Sequence, residues 1–245
     1  MSEQFQFPAI ENALNEPNGL LAMGGDLHVD TLVDAYARGI FPWFDDDQPL
    51  LWWSPDPRAV ITPQQLRVSK SLRKTMRANR WELSVNTDFE GVIHHCAEQR
   101  KNSDGTWITS EMISAYTALH HAGYAHSIEV WQTEENTGKT LVGGLYGVAI
   151  GSVFSGESMF HRVTNASKVA LTAAVKHLDA INWQLLDCQV PHPHLTSMGA
   201  TQLSRQQFAS HLYEGIENTQ GVQPSATLWT SLTWANSAEL EQALR

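Results

Sequence analysis

In the run Leu185-Leu186-Asp187-Cys188-Gln189-Val190 a carboxylate and a primary amide stand two residues apart, so in a strand both project from one face. Their neighbours are apolar enough for a central strand, where polar side chains must find partners. A second carboxylate, Glu157, follows Gly156 at the end of another expected strand and precedes Met159 and Phe160. Two acids and an amide beside apolar and aromatic side chains suit a site for a cationic or amine-bearing substrate. The same three groups would also serve as a buried structural hydrogen-bond network, and composition alone leaves both readings open.

Other chemistry fails on spacing. Gly138-Lys139-Thr140 matches the end of a phosphate-binding loop, but the glycine needed five residues before Gly138 is Thr133. In Gly156-Glu157-Ser158-Met159-Phe160, Phe160 stands where a nucleophile elbow needs its last glycine, which argues against a serine hydrolase. The 11 histidines are densest at His94-His95, His120-His121 and His192-Pro193-His194. Adjacent helical residues point about 100° apart and do not aim two rings at one ion. Only His192 and His194, sharing a face if that segment is a strand, are kept as metal candidates, and no metal centre is expected.

The elements that must position these residues read as α+β. Residues 1–58 form a small, loop-rich N-terminal lobe with turns at Pro17-Asn18-Gly19 and Gly24-Gly25 and one helix from an Asp30 N-cap to Gly39. Its end, from Phe41-Pro42-Trp43-Phe44 to Pro57-Arg58, packs aromatic rings between prolines and carries Asp45-Asp46-Asp47. Residues 59–245 form the larger domain. Ser69 caps a basic helix, Trp81–Val85 is a strand, and Phe89, Val92, Ile93, Cys96 and Ala97 make a helical stripe. A second helix runs from about Ser110 to Gly123, and both should cover a sheet. Strands at His126–Gln132 and Thr140–Ile150, joined by Asn136-Thr137-Gly138-Lys139, and a short one at Gly151–Ser155 make an antiparallel meander. Asn165 caps a helix to about Ile181, Trp183–Val190 is a strand, and Ser204 with Gln207 forms a capping box. Asn236 can cap a late helix in the otherwise uninformative stretch 217–245.

Composition narrows the class. The 245 residues are 42% hydrophobic and 17% charged, with mean hydropathy −0.28, which excludes a disordered tail or a multi-span membrane protein. The N-terminus has no basic segment followed by an apolar run, and two cysteines cannot build a disulfide framework, so a cytoplasmic protein with free thiols is expected. Net charge is −10, yet Arg67, Lys70, Arg73, Lys74, Arg77 and Arg80 fall in one acid-free segment. Arg67, Lys70, Lys74 and Arg77 recur near helical spacing and present one basic face. The nine tryptophans exceed what a core this size needs, so some should line a binding site.

Three N-terminal runs, Asn15 to Leu27, Tyr36 to Phe44 and Trp52 to Arg58, closely resemble the leucyl/phenylalanyl-tRNA–protein transferase family. So do Gly105-Thr106-Trp107-Ile108-Thr109, Gly123 to Trp131, Gly143 to Val148, Gly156 to Phe160, Asn165 to Lys168, Asp187-Cys188-Gln189 and Ser197 to Ala200, in that order, over about residues 5–215. The resemblance implies a C-terminal acetyltransferase-like (GNAT) domain with a central, mostly antiparallel sheet. It also implies transfer of Leu or Phe from Leu-tRNA or Phe-tRNA to the α-amine of proteins beginning with Arg or Lys, marking them for N-end-rule degradation.

By the same resemblance, Gln189 accepts a hydrogen bond from the attacking amine, Asp187 polarises and orients that arrangement, and Glu157 helps hold the substrates. Direct proton uptake by Asp187 stays open as a rival. Trp43, Trp107, Tyr116, Leu145 and Met159 would form the aminoacyl pocket, Leu145 departing from the Met of some relatives. The basic face would then meet acceptor-stem phosphates without reading sequence. The acidic surplus, including Asp45–Asp47, would attract the cationic N-terminus. No cofactor is expected. A coenzyme-A-dependent enzyme would need a glycine-rich loop, and Phe160–Lys168 contains no glycine. A tRNA-binding protein without catalysis is the other rival.

Overall fold

The computed structural model describes residues 5–45, 47–79, 81–101, 107–134 and 138–244. Arg80, Asp46, Gly105-Thr106 and the turn residues Asn136-Thr137 lie outside the described residues.

The N-terminal part is organised by rings rather than by strand alternation. Short strands β1 (Leu20–Met23), β2 (Phe41–Pro42) and β3 (Leu51–Trp53) form a sheet in the order β1-β3-β2, where the sequence suggests only loops. Trp52 is wholly buried, donates Nε1–H to the Gly24 carbonyl at 2.8 Å and meets the Phe7 ring edge-on at 4.8 Å. Helix α1 (Val29–Ala37) starts at a His28 N-cap, two residues before the expected Asp30. The carboxylate that ties the turn is Asp26, which accepts from His28 N and Thr31 Oγ1. Gly39, at φ +76°, ends it as expected.

The main sheet contains β4 (Arg58–Ile61), β5 (Glu82–Val85), β6 (Ala125–Glu134), β7 (Gly138–Ile150), β8 (Val153–His161), β9 (Leu185–Gln189) and β10 (Thr201–Leu203), in the spatial order β10-β4-β9-β8-β7-β6-β5. The helices are α2 (Lys70–Asn79), α3 (Phe89–Lys101), α4 (Ser110–His121), α5 (Ala166–Ala180), α6 (Pro193–Ser197), α7 (Arg205–Asn218) and α8 (Ser237–Gln242). The architecture is α+β, with a small N-terminal part. Neighbouring strands are antiparallel except β8 and β9, which α5 connects as a crossover.

β8 is longer than the expected Gly151–Ser155, because Gly151, at φ +59°, belongs to the preceding turn and the strand runs on to His161. Glu157 is therefore inside a strand, not at its end. The β8–β9 pairing stops at Ser155↔Asp187. Just beyond, both strands carry bulges. Gly147 pairs with Gly156 and Tyr146 with Ser158, leaving Glu157 extra; Ala59 pairs with Gln189 and Val60 with Asp187, leaving Cys188 extra.

One face of the sheet shares its core with α3, α4 and the N-terminal part, where Tyr36, Phe41 and Trp52 cluster with Ile93, Tyr116 and Tyr146. The other face is covered by α2, α5 and the C-terminal segment. Helix α5 sits close enough to β7 that a Cβ at Gly143 would come within 2.5 Å of the Ala166 Cβ. Asn165 does not cap α5 with its side chain; it adopts φ +75° and donates to Thr75 Oγ1 at 3.4 Å. Residues beyond 217 dock firmly. Trp229 is buried between His126, stacked at 4.8 Å, and Phe154, and Ser237 N donates to the Trp81 carbonyl. Asn236 caps α8 through Ala238 N and Glu239 N. Among the described residues no helix is long and apolar enough to cross a membrane.

Candidate active site

Asp187 is wholly buried and fully engaged. Arg58, 1% exposed, donates from Nε to Oδ1 at 2.8 Å and from Nη2 to Oδ2 at 2.7 Å, the forked geometry that suits a guanidinium. Ser155 Oγ donates to Oδ2 at 3.1 Å and the Gln189 backbone N–H to Oδ1 at 2.8 Å. The guanidinium also donates to the Gly39 carbonyl and lies against the rings of Phe41 and Phe208 at 4.9 and 4.5 Å. Sequence reasoning missed Arg58, although a buried acid in an apolar strand demands a cationic partner and Arg58 leads into the apolar run Ala59-Val60-Ile61.

Gln189 ends β9 at φ +62°, a left-handed conformation uncommon outside glycine. With the bulge at Cys188, this cancels the simple alternation that would put Asp187 and Gln189 on one face. Asp187 points into the core at Arg58, whereas Gln189 lines a cavity.

Glu157 sits beside them in different company. Its Oε1 accepts from Gln189 Nε2 at 2.8 Å and its Oε2 from the Tyr116 hydroxyl at 3.2 Å. The Tyr116 hydroxyl in turn lies 2.5 Å from that of Tyr36. Burial pushes the Glu157 carboxyl up to about 8; Asp187 adds to the rise, while the tyrosine hydrogen bonds and Arg58 oppose it. Burial, then the nearby Glu157, raises both phenols. Because one Nε2–H of Gln189 is held by Glu157, the amide is oriented with its carbonyl oxygen as the acceptor on the other side.

The cavity, of about 700 Å³, opens where β8 and β9 diverge. Of the sequence-derived pocket residues, Leu145 and Met159 line it together with Glu157 and Gln189. Tyr116 is buried behind Glu157. Trp107 packs 5.6 Å from the Arg100 guanidinium, itself a cavity residue, and Trp43 is 48% exposed on the N-terminal part, tilted against Trp53. Leu171, Leu186 and Leu195 complete the apolar lining. They carry no signal beyond ordinary core periodicity. Several tryptophans are core: Trp52, Trp81, Trp183, Trp229 and Trp234 are buried.

The basic helix forms as expected, Ser69 Oγ accepting from Leu72 N. Arg67, Lys70, Lys74 and Arg77 are exposed. The acid-free run meets an acid in space, however: Glu241 of α8, 1% exposed, accepts from Arg77 at 2.7 Å and lies 3.5 Å from Arg73. His192 and His194 do not share a strand face. His192 caps α6, accepting the His194 N–H on Nδ1, and the two rings are edge-on at 6.5 Å. Among the described residues no group of three His, Cys, Asp or Glu side chains gathers around a point.

Comparison with known proteins matches residues 60–213 to the family model for leucyl/phenylalanyl-tRNA protein transferase and residues 25–56 to that for its N-terminal domain. Proteins of that name from Shewanella pealeana, Shewanella baltica and Pseudomonas putida are 54%, 50% and 51% identical to this chain. The aligned regions cover 86%, 94% and 94% of this chain and 89%, 94% and 97% of those proteins.

Proposed function

The chain belongs to the leucyl/phenylalanyl-tRNA–protein transferase family, and from that premise we propose that it transfers Leu or Phe from the 3′ end of tRNA to the α-amine of proteins with N-terminal Arg or Lys. The products would enter N-end-rule degradation in the cytoplasm. The finer fold reading is acetyltransferase-like, supported by a single parallel junction that opens into the cavity.

The observation that carries the chemistry is the 2.8 Å hydrogen bond from Gln189 Nε2 to Glu157 Oε1. It orients the amide so that Gln189 Oε1 accepts an N–H of the incoming amine. A protein α-amine has a pKa of about 7.7–8.0, so an appreciable fraction is neutral near pH 7 and needs orientation more than a strong base. The amine nitrogen attacks the ester carbonyl, the C–N bond forms and the C–O bond to the ribose breaks, while the amine's surplus proton passes to the departing ribose oxygen, directly or by way of solvent, leaving a ribose hydroxyl.

Asp187 acts as a positioning residue in this scheme. Its oxygens are taken by Arg58, Ser155 and the Gln189 backbone, which favours orientation over proton uptake. Leu145, Met159 and Leu186 offer an apolar seat for an unbranched-β side chain, with Tyr116 stiffening Glu157 behind it. Trp43 and Trp107 would border the donor from outside the cavity. Arg67, Lys70, Lys74 and Arg77 would meet the acceptor-stem phosphates, Arg77 sharing its charge with Glu241.

A transfer assay tests the reading: purified protein with labelled Leu-tRNA or Phe-tRNA is offered peptides differing only in an N-terminal Arg, Lys or Gly. Label on the Arg and Lys peptides alone is expected. Binding of tRNA without product on any peptide would instead support a non-catalytic tRNA-binding protein.

A further inference from the structure

One wall of the cavity is cationic and plays no part in the scheme above. His161 ends β8, Lys168 lies in the first turn of α5, and His192 and His194 belong to the cap and body of α6. All four line the cavity. Lys168 is half-buried and has no ion-pair partner among the described residues. Among the described residues the only acid lining the same cavity is Glu157, whose two oxygens are occupied by Gln189 and Tyr116. A partly desolvated lysine without a carboxylate partner is costly unless an anion arrives.

The His194 imidazole adds a donor rather than a charge. Burial, followed by the neighbouring Lys168, His192 and His161, lowers the His194 pKa, so near pH 7 its ring is largely neutral and offers one N–H. His192 accepts the α6 backbone N–H on Nδ1, so in its neutral form the proton sits on Nε2. The Lys168 ammonium with ring N–H donors beside it matches the oxygens of an anionic phosphate.

We infer that Lys168, His161, His192 and His194 form a subsite for the phosphate on the 5′ side of the donor's terminal nucleoside. The inference rests on the transfer reading for the identity of the donor, but the phosphate chemistry stands on the cavity wall itself. Side-chain donors here do what a glycine-rich loop would do with backbone N–H groups, and Phe160–Lys168 has no glycine for such a loop.

The test compares 3′-O-phenylalanyl-adenosine with the same ester carrying a 5′-phosphate, each with an N-terminal Arg peptide. Wild type should favour the phosphate-bearing donor about tenfold in kcat/KM. Lys168→Gln should erase most of that preference and leave the phosphate-free donor within about twofold, and Lys168→Arg should restore part of it. Equal losses on both donors, or an intact preference in both Lys168→Gln and His194→Gln, would overturn the subsite. Binding of unreactive adenosine 5′-phosphate against adenosine is read separately by titration. Tighter nucleotide binding that depends on Lys168, with no transfer to any peptide, would uphold the subsite and overturn the transfer reading. Transfer with no such dependence would overturn the subsite alone.

Discussion

Glu157 and Asp187 are buried carboxylates on adjacent strands, but their surroundings differ. Asp187 meets a guanidinium fork, a hydroxyl and a backbone N–H, all fixed by rings and main chain. Glu157 meets a phenol and an amide, and it has no ion-pair partner among the described residues. A fixed counter-charge makes a carboxylate a rigid strut for the backbone, whereas neutral donors leave it free to change charge when a cation enters. The two roles need the same residue type and are separated by partners alone.

The sharpest way to break that contrast is at Arg58. Arg58→Ala leaves a buried carboxylate without its cation and should cost about 3–5 kcal/mol, with Tm lower by roughly 10 °C in calorimetry. Arg58→Lys should recover less than half of the loss, because a single ammonium cannot make both bonds. Full recovery would show that charge alone matters there.

At Glu157 the effect should fall on turnover and pH dependence. Glu157→Gln should lower kcat about tenfold by loosening the Gln189 amide, with little change in KM for aminoacyl-tRNA. The wild-type carboxyl titrates near 8 when folded, against 4.5 unperturbed, so the folded state holds its proton longer. Its contribution is fully present below pH 4.5 and is lost as pH rises toward 8. Denaturant titrations should therefore show the wild type losing up to about 4 kcal/mol relative to Glu157→Gln across that window. Parallel pH profiles would refute a charge-adjustable Glu157.

Tyr116→Phe should act more gently. Removing one hydrogen bond costs about 1 kcal/mol. Because that bond lowers the Glu157 pKa, the Glu157-dependent limb of the pH–rate profile should move upward. The smallest structural effect belongs to the surface. Lys70→Ala and Lys74→Ala should leave Tm within about 1 °C while flattening the salt dependence of aminoacyl-tRNA binding by about one unit of slope each. An unchanged slope would remove the docking role from α2.

Much of this fold can be read from residue patterns, and the exceptions share a cause. Ser69, Gln207 with Ser204, and Asn236 mark helix starts because a cap is a local hydrogen bond. The N-terminal sheet, α6 and β10 escape notice because tertiary packing specifies them, as Trp52 under Phe7 illustrates. At the site, Asp187, Gln189 and Glu157 stand out as polar residues in apolar strands. Their division of labour does not, because it depends on two bulges and on an arginine 129 residues away from Asp187. Periodicity counts residues evenly and cannot see an extra one.

The docking of the last residues across the sheet has a consequence for biosynthesis. Trp229 and α8 fill the face that α2 and α5 leave open, and Ser237 and Ala235 bond to the strand segment at Trp81 and Leu83. That hydrophobic layer cannot close until residues 229–242 have been synthesised, whereas the buried residues of the opposite core run only to Leu212 and emerge earlier.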